Sequence, residues 1–236
     1  MKRFYADVTI THAPEAPGFH ILLDGKPIRT PLRHVLQPLR ATLADAIAAE
    51  WQAQDTKILP DTMPMTQMQT MLQDRCATER DVWQTEILAF LETDLLCYLT
   101  DDMPEIAANQ ANIWTPLRTW FADWLNIAPL VVTTGLGVDA LPVPTITKLQ
   151  VQLSASTPEI LMVWRYVAGL TGSCVLGAAL AHGVRDANAV FAAAQLEEMA
   201  LSKKAHEDVY GQEPYQEKMQ GVLRRELHSC IAFLTV

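Results

Sequence analysis

Positive charge is scarce in this chain. Its 236 residues hold 18 Lys and Arg against 27 Asp and Glu, a formal charge of −9. The basic residues are few and scattered, so no segment supplies the clustered cations that a nucleic-acid surface needs. Cysteine is sparse as well: Cys76, Cys97, Cys174 and Cys230 lie far apart, each flanked by apolar residues, without CxxC or Cys/His ligand spacing. That pattern fits buried free thiols in a reducing compartment, not a disulfide framework or a zinc site. Met1-Lys2-Arg3-Phe4-Tyr5 runs straight into alternating residues, with no apolar signal core and no Arg/Ser-rich leader. The expected location is therefore the bacterial cytoplasm, or the mitochondrial matrix for a mature eukaryotic form. An uninterrupted hydrophobic run is missing too. The longest apolar tract, residues 160–181, is broken by Arg165, Gly169, Thr171, Gly172, Ser173 and Gly177. It suits a central helix of a soluble bundle, closely approached at its glycines, better than a membrane span.

The familiar catalytic signatures are absent. There is no GxxxxGK(S/T) loop and no HExxH, Gly172-Ser173-Cys174 is not a GxSxG elbow, and none of the six histidines pairs with carboxylates at helical spacing. Gly135-Leu136-Gly137-Val138-Asp139-Ala140 matches GxGxx(G/A), but Leu141-Pro142-Val143-Pro144 follows where a phosphate-binding helix would have to open. The chain reads as a protein without enzymatic activity, cofactor or metal.

What is present is apolar surface in quantity. Half of the residues are hydrophobic, enough for a sizeable core in one large or two modest domains. Up to about residue 39 the pattern has period two, and Asp24-Gly25 is a strong two-residue hairpin signal, so a small antiparallel sheet is expected. Leu43, Ile47 and Trp51 open a helix, and Met65, Met68, Met71 and Leu72 start another after Pro60 and Pro64. Helical periodicity then recurs over residues 82–98, 106–125, 146–153, 160–181, 187–204 and 215–234. Within the second of these segments, Thr115-Pro116 reads as N-cap and N1 of a helix with Leu117, Trp120, Phe121, Trp124 and Leu125 on one stripe. Residues 129–134 read as a short strand or an extended connector. The expected fold is α+β: a small N-terminal β-rich domain with one or two helices at 1–70, and a larger, mostly α-helical domain at 71–236.

Three carboxylates stand out. Asp94 falls on the apolar face of Trp83, Ile87, Leu91 and Tyr98, where an unpaired charge would cost several kcal/mol. It is expected to be a structural carboxylate, capping a new segment or accepting bonds from an Arg, a Trp or backbone N–H groups across the fold. Glu197 and Glu198 follow the apolar Val190, Phe191 and Ala194, and precede Lys203 and Lys204. They read as solvated charges with i,i+4 partners; neighbouring carboxylates can also run acid/base chemistry, but no accompanying nucleophile or oxyanion donors are present. His182, before Gly183, sits where a helix would end, and a cation there suits the helix dipole.

Several segments together, in order, resemble one family. These are Arg3-Phe4-Tyr5, Leu23-Asp24-Gly25-Lys26-Pro27-Ile28-Arg29-Thr30-Pro31, Ala48-Ala49-Glu50-Trp51-Gln52-Ala53-Gln54, Met63-Pro64-Met65-Thr66, Thr93-Asp94-Leu95-Leu96-Cys97-Tyr98, Trp114-Thr115-Pro116-Leu117 and Thr171-Gly172-Ser173. The chain is similar over nearly its whole length to the assembly chaperones that act on the alpha subunit of the F-type ATP synthase catalytic head. The resemblance implies a β-rich domain joined to a helical one, a binding role without nucleotide hydrolysis, and the free alpha subunit as partner. The charge and the broken apolar tract lead to an expectation of no nucleic acid and no membrane insertion, and a monomer is expected. The family carries a Leu-Asp-Glu motif near the start of a late helix, followed by Gln and Trp-Gly. Leu196-Glu197-Glu198 matches its first three positions with Asp replaced by Glu, while the Gln position is Leu201 and Trp-Gly appears about four residues late as Tyr210-Gly211. This match marks Glu198, with Glu197 beside it, as the expected partner-binding residues. A different class of function, a small-molecule binder or enzyme using an interdomain cleft, would draw on Trp51, Asp94 and Tyr98.

Overall fold

The structure is a computed structural model that describes residues 1–101, 103–135, 140–208 and 214–236, with the side chains of 203–208, 214 and 215 left aside. Two compact units are formed, one by Met1–Arg80 with Ala232–Val236 and the other by Asp81–Ile231.

The first unit begins with a three-stranded antiparallel sheet in the order β1-β2-β3, from β1 Val8–His12, β2 Phe19–Leu23 and β3 Lys26–Pro27. Pairing of Val8 with Leu23 and of Leu23 with Lys26 sets the register, and Ile21 and Leu23 point into the core at period two. The β2–β3 turn is the expected one. Asp24 and Gly25 have φ of +48° and +77°, the geometry that Asp-Gly tolerates better than most pairs. The Asp24 carboxylate also accepts from the N–H groups of Asp7 (2.9 Å) and Ala6 (3.0 Å), which hold its pKa below the ordinary value. Helix α1 Ala41–Gln52 buries Leu43, Ala44, Ile47 and Ala48. Its Glu50 then caps the next helix, α2 Pro64–Glu92, accepting from Met65 N (2.6 Å), Thr66 N (2.8 Å) and Thr66 Oγ1 (2.7 Å). These bonds satisfy N–H groups that have no partner within the helix.

Side chains of α2 also stitch down the segment that follows β3. The buried Asp74 accepts from Thr30 Oγ1 (2.6 Å) and Leu32 N (3.2 Å) and meets His34 Nδ1 at 3.1 Å. Gln73 donates to Val35 O (2.6 Å) and accepts from Gln37 N (3.0 Å). The fully buried Phe233 completes this unit, and the Arg40 guanidinium donates to Phe233 O (2.6 Å) and Leu234 O (3.0 Å).

In the second unit the chain is helical: α3 Pro104–Leu125, α4 Val143–Ala155, α5 Pro158–Thr171, α6 Cys174–Ala181, α7 Ala187–Ala194, α8 Leu196–Asp208 and most of α9 Pro214–Thr235. Four expectations are corrected here. Helix α2 stops at Glu92, so Asp94 lies past its end and not on its apolar face. Thr115-Pro116 does not start a helix, because Pro116 sits inside α3. Ile106, Gln110, Trp114, Leu117, Phe121 and Leu125 form one buried stripe through the proline. Burying each large apolar member stabilises by about 1.5–3 kcal/mol, which together outweighs the roughly 3 kcal/mol that an internal proline costs. The apolar tract at 160–181 is two helices, broken where Gly172 (φ +69°) ends α5 and the Ser173 hydroxyl caps α6 through Leu176 N (3.0 Å). The segment at 187–204 is likewise two helices, parted at Gln195.

Residues 129–134 form an extended connector. Thr133 bonds by its backbone to Cys97 O (2.9 Å) and to Leu99 N (2.8 Å). All four cysteines are buried thiols, none of them in a disulfide. Among the described residues no helix is long and apolar enough to cross a membrane.

Candidate functional site

Asp94 is the most constrained carboxylate. With no exposed surface, it accepts from Ser173 Oγ (2.7 Å), Leu96 N (3.0 Å) and Val175 N (3.0 Å). It caps both the 3-10 turn Leu95–Cys97 and the first turn of α6. Burial is the larger influence on its pKa and pushes it up to about 6, against the pull of these donors. The same burial, together with the Asp94 charge, lifts the Cys97 thiol to about 12 and the Cys174 thiol well above its ordinary value. Both sulfurs are thus held as inert thiols. A carboxylate with no exposed surface cannot line a cleft, so Asp94 does not serve the small-molecule reading in that role. Tyr98 sits in the same unit, bridged to Thr133, and Trp51 lies in the other unit, its ring tilted against that of Tyr5 at 5.7 Å.

Glu197 and Glu198 behave differently from each other. Glu197 opens α8 half-buried. Its Oε1 accepts from Gln110 Nε2 (2.5 Å), and the Gln110 oxygen in turn accepts from Thr100 N (3.0 Å). Trp114 Nε1 donates to Ala193 O (2.9 Å), which ties the end of α7 to α3. The start of α8 is therefore fixed to buried α3 side chains. Glu198 is exposed, and its carboxylate accepts from Gln216 Nε2 (2.8 Å) at the start of α9. The Gln216 oxygen accepts from Ser202 Oγ (3.2 Å). Met199 and Leu201 beside Glu198, and Met219 one turn after Gln216, are 41%, 46% and 48% exposed. Exposed thioethers and one leucine, close in sequence to the Glu198–Gln216 pair, suit protein contact, because methionine adapts its shape to a partner. Sequence reasoning singled out Glu197 and Glu198 but missed Gln110, although a lone amide on an apolar helical stripe was a readable signal. The Tyr210-Gly211 motif lies outside the described residues, as do positions 136–139 of the glycine-containing hexapeptide.

A groove of about 500 Å³ runs between α2 and α5, lined by residues that include Glu86, Phe90, Arg165, Tyr166 and Gly169. Arg165 pairs with Glu86 (2.5 Å) and Tyr166 donates to Glu226 (2.9 Å), so these three lining groups already have polar partners. His182 caps the C-terminus of α6 among Trp124 and Trp164, with ring centroids 4.7 and 5.6 Å away. Desolvation lowers its pKa, which favours a neutral ring over the cation that the helix dipole alone would select. Among the described residues no cluster of His, Cys, Asp and Glu could hold a metal.

The ATP12 chaperone protein family model matches residues 2–122. Among solved structures, Atp12 from Paracoccus denitrificans aligns with a TM-score of 0.87 at 29% identity, covering 98% of this chain and 96% of that one. An Asp-to-Lys mutant of P. denitrificans Atp12p aligns with a TM-score of 0.86 at 29% identity, with the same coverage of 98% and 96%. A protein from Agrobacterium tumefaciens aligns with a TM-score of 0.86 at 31% identity, covering 99% of this chain and 86% of that one. A family match over half of the chain, and likeness to solved relatives over nearly all of it, place this protein in the ATP12 chaperone family.

Proposed function

We propose that this chain is an ATP synthase assembly chaperone that holds the free alpha subunit of the catalytic head until the beta subunit replaces it. It acts as a monomer in the cytoplasm or the mitochondrial matrix, and performs no chemistry on its client. The observation that carries the reading is the likeness to Atp12 over nearly the whole chain, and the exposed face of α8 and α9 supports it. An unassembled subunit interface of obligate size exposes on the order of 1,000 Å² per partner and is prone to self-association. Met199, Leu201 and Met219 offer it an apolar cover, and Glu198 a charged contact that selects orientation.

Purified alpha subunit is expected to co-elute with this protein and to stay soluble longer in its presence. Glu198→Lys should weaken that binding by about tenfold or more while leaving the melting temperature within a degree or so, since an exposed side chain is being changed. Size-exclusion chromatography and a titration of both proteins measure it. Unaltered binding by a folded Glu198→Lys variant removes Glu198 from the contact, and no co-elution of the wild type sinks the reading itself. The groove between α2 and α5 is the observation that favours small-molecule binding, since its volume falls within the range of ligand sites. A metabolite retained through native mass spectrometry would support that alternative.

A further inference from the structure

We propose that the turn at residues 30–34 is a preformed docking knob, in which Leu32, flanked by Arg29 and Arg33, enters an apolar socket rimmed by carboxylates on the protein that this chaperone holds. The inference rests on the client reading above and adds a second contact, in the other unit.

The turn is held far more tightly than a connection between a strand and a helix requires. Asp74 takes bonds from three of its residues, and Gln73 fixes the segment immediately after it. Inside the turn, Thr30 N donates to His34 O (2.9 Å), Arg33 N to Thr30 O (2.8 Å), and the Arg29 guanidinium to Arg33 O (2.8 Å). Arg33 adopts φ +68°, a conformation that glycine reaches without strain and arginine does not. What this framework presents to solvent is Leu32, 61% exposed, with Pro31, Arg33 and His34 also exposed around it. Folding gains nothing from an apolar tip in water, whereas binding does: a loop already fixed in its bound shape loses little conformational freedom on association.

The charge of the site selects the occupant. Between Asp24 and Asp45 the chain carries Lys26, Arg29, Arg33 and Arg40 and no Asp or Glu, in a protein whose net charge is −9. The basic residues look scattered along the sequence, yet the turn brings the exposed Arg29 and Arg33 together beside one exposed leucine, the Arg29 guanidinium donating to Arg33 O. An apolar socket edged by carboxylates complements that tip, and a basic partner would be repelled by it.

Two variants separate this role from a structural one. Leu32→Asp should keep the wild-type melting temperature and bind purified alpha subunit about tenfold or more weakly. Arg33→Gly relieves the strained φ, so its melting temperature should be equal or higher. Its affinity should still fall severalfold in dilute salt, and that deficit should shrink as ionic strength rises. A purely structural turn predicts the opposite pattern, with stability moving and affinity unchanged. If both variants bind like wild type while Glu198→Lys does not, the knob is refuted and the client reading stands. Failure of the wild-type chain to bind alpha subunit overturns both.

Discussion

Asp94→Ala is expected to lower the unfolding free energy by about 3 kcal/mol at neutral pH, and by more in acid. The substitution strands the N–H groups of Leu96 and Val175 and the hydroxyl of Ser173 in a dry interior, at roughly 2 kcal/mol each. Against this stands relief of a buried charge. Burial raises the Asp94 pKa from 3.8 to about 6, a difference on the order of 3 kcal/mol disfavouring the ionised form. The sign of the pH dependence follows. Between about 4 and about 6 the native state keeps a proton that the unfolded state has released, so the contribution of Asp94 is fully present below the lower value and is lost as pH rises through the upper one. Urea unfolding of wild type and of Asp94→Asn at about pH 4 and about pH 7 tests it. Wild type should lose on the order of 3 kcal/mol more than the variant across that interval, and parallel pH profiles would contradict the assignment.

The second large effect is expected at Gly177. A Cβ there would lie 2.6 Å from Trp164 O, 2.8 Å from Trp164 Cδ1 and 3.1 Å from Ala168 N. The nearest obstacle is backbone, so α5 and α6 must move apart. That movement also loosens the bond from Trp164 Nε1 to Cys174 O (2.9 Å). Overpacking of this kind costs about 3 kcal/mol, from which the better helix propensity of alanine recovers at most about 1. Gly169→Ala is the matched control one helix away. Its Cβ would meet only Phe90 Cζ, at 3.9 Å, so it should be neutral or stabilise by up to about 1 kcal/mol. Chemical denaturation of the pair checks both. Equal stability of the two variants would mean that α5 and α6 are not closely packed at Gly177.

Much of the architecture could be read from residue patterns, and the failures share a cause. Asp24-Gly25 placed its hairpin because turn geometry is decided by the two residues themselves. The α3 stripe was visible at period 3.6, but Pro116 suggested a boundary, since a local rule was set against a packing term that only the folded neighbours supply. The glycines of the 160–181 tract were read as packing points. Gly177 is one, whereas Gly172 ends a helix and Gly169 faces open space near Phe90. The need of Asp94 for donors was legible from its apolar surroundings. That Ser173 and Val175 would supply them, 79 and 81 residues away, was not, because sequence spacing says nothing about which distant turn arrives beside a carboxylate. The contrast between a tethered Glu197 and an open Glu198 was hidden for the same reason.

Arg40 has consequences for the order of events at the ribosome. Its acceptors, the carbonyls of Phe233 and Leu234, lie 193 and 194 residues downstream. At roughly 5–20 residues per second, synthesis takes about 10–40 s to reach them. During that interval the sheet and α1 exist without the buried Phe233 that belongs to their unit, so this unit is completed only after the other has been made. A nascent chain stalled before Phe233 should leave Arg40 and the surrounding apolar residues accessible to limited proteolysis, and release of the complete chain should protect them.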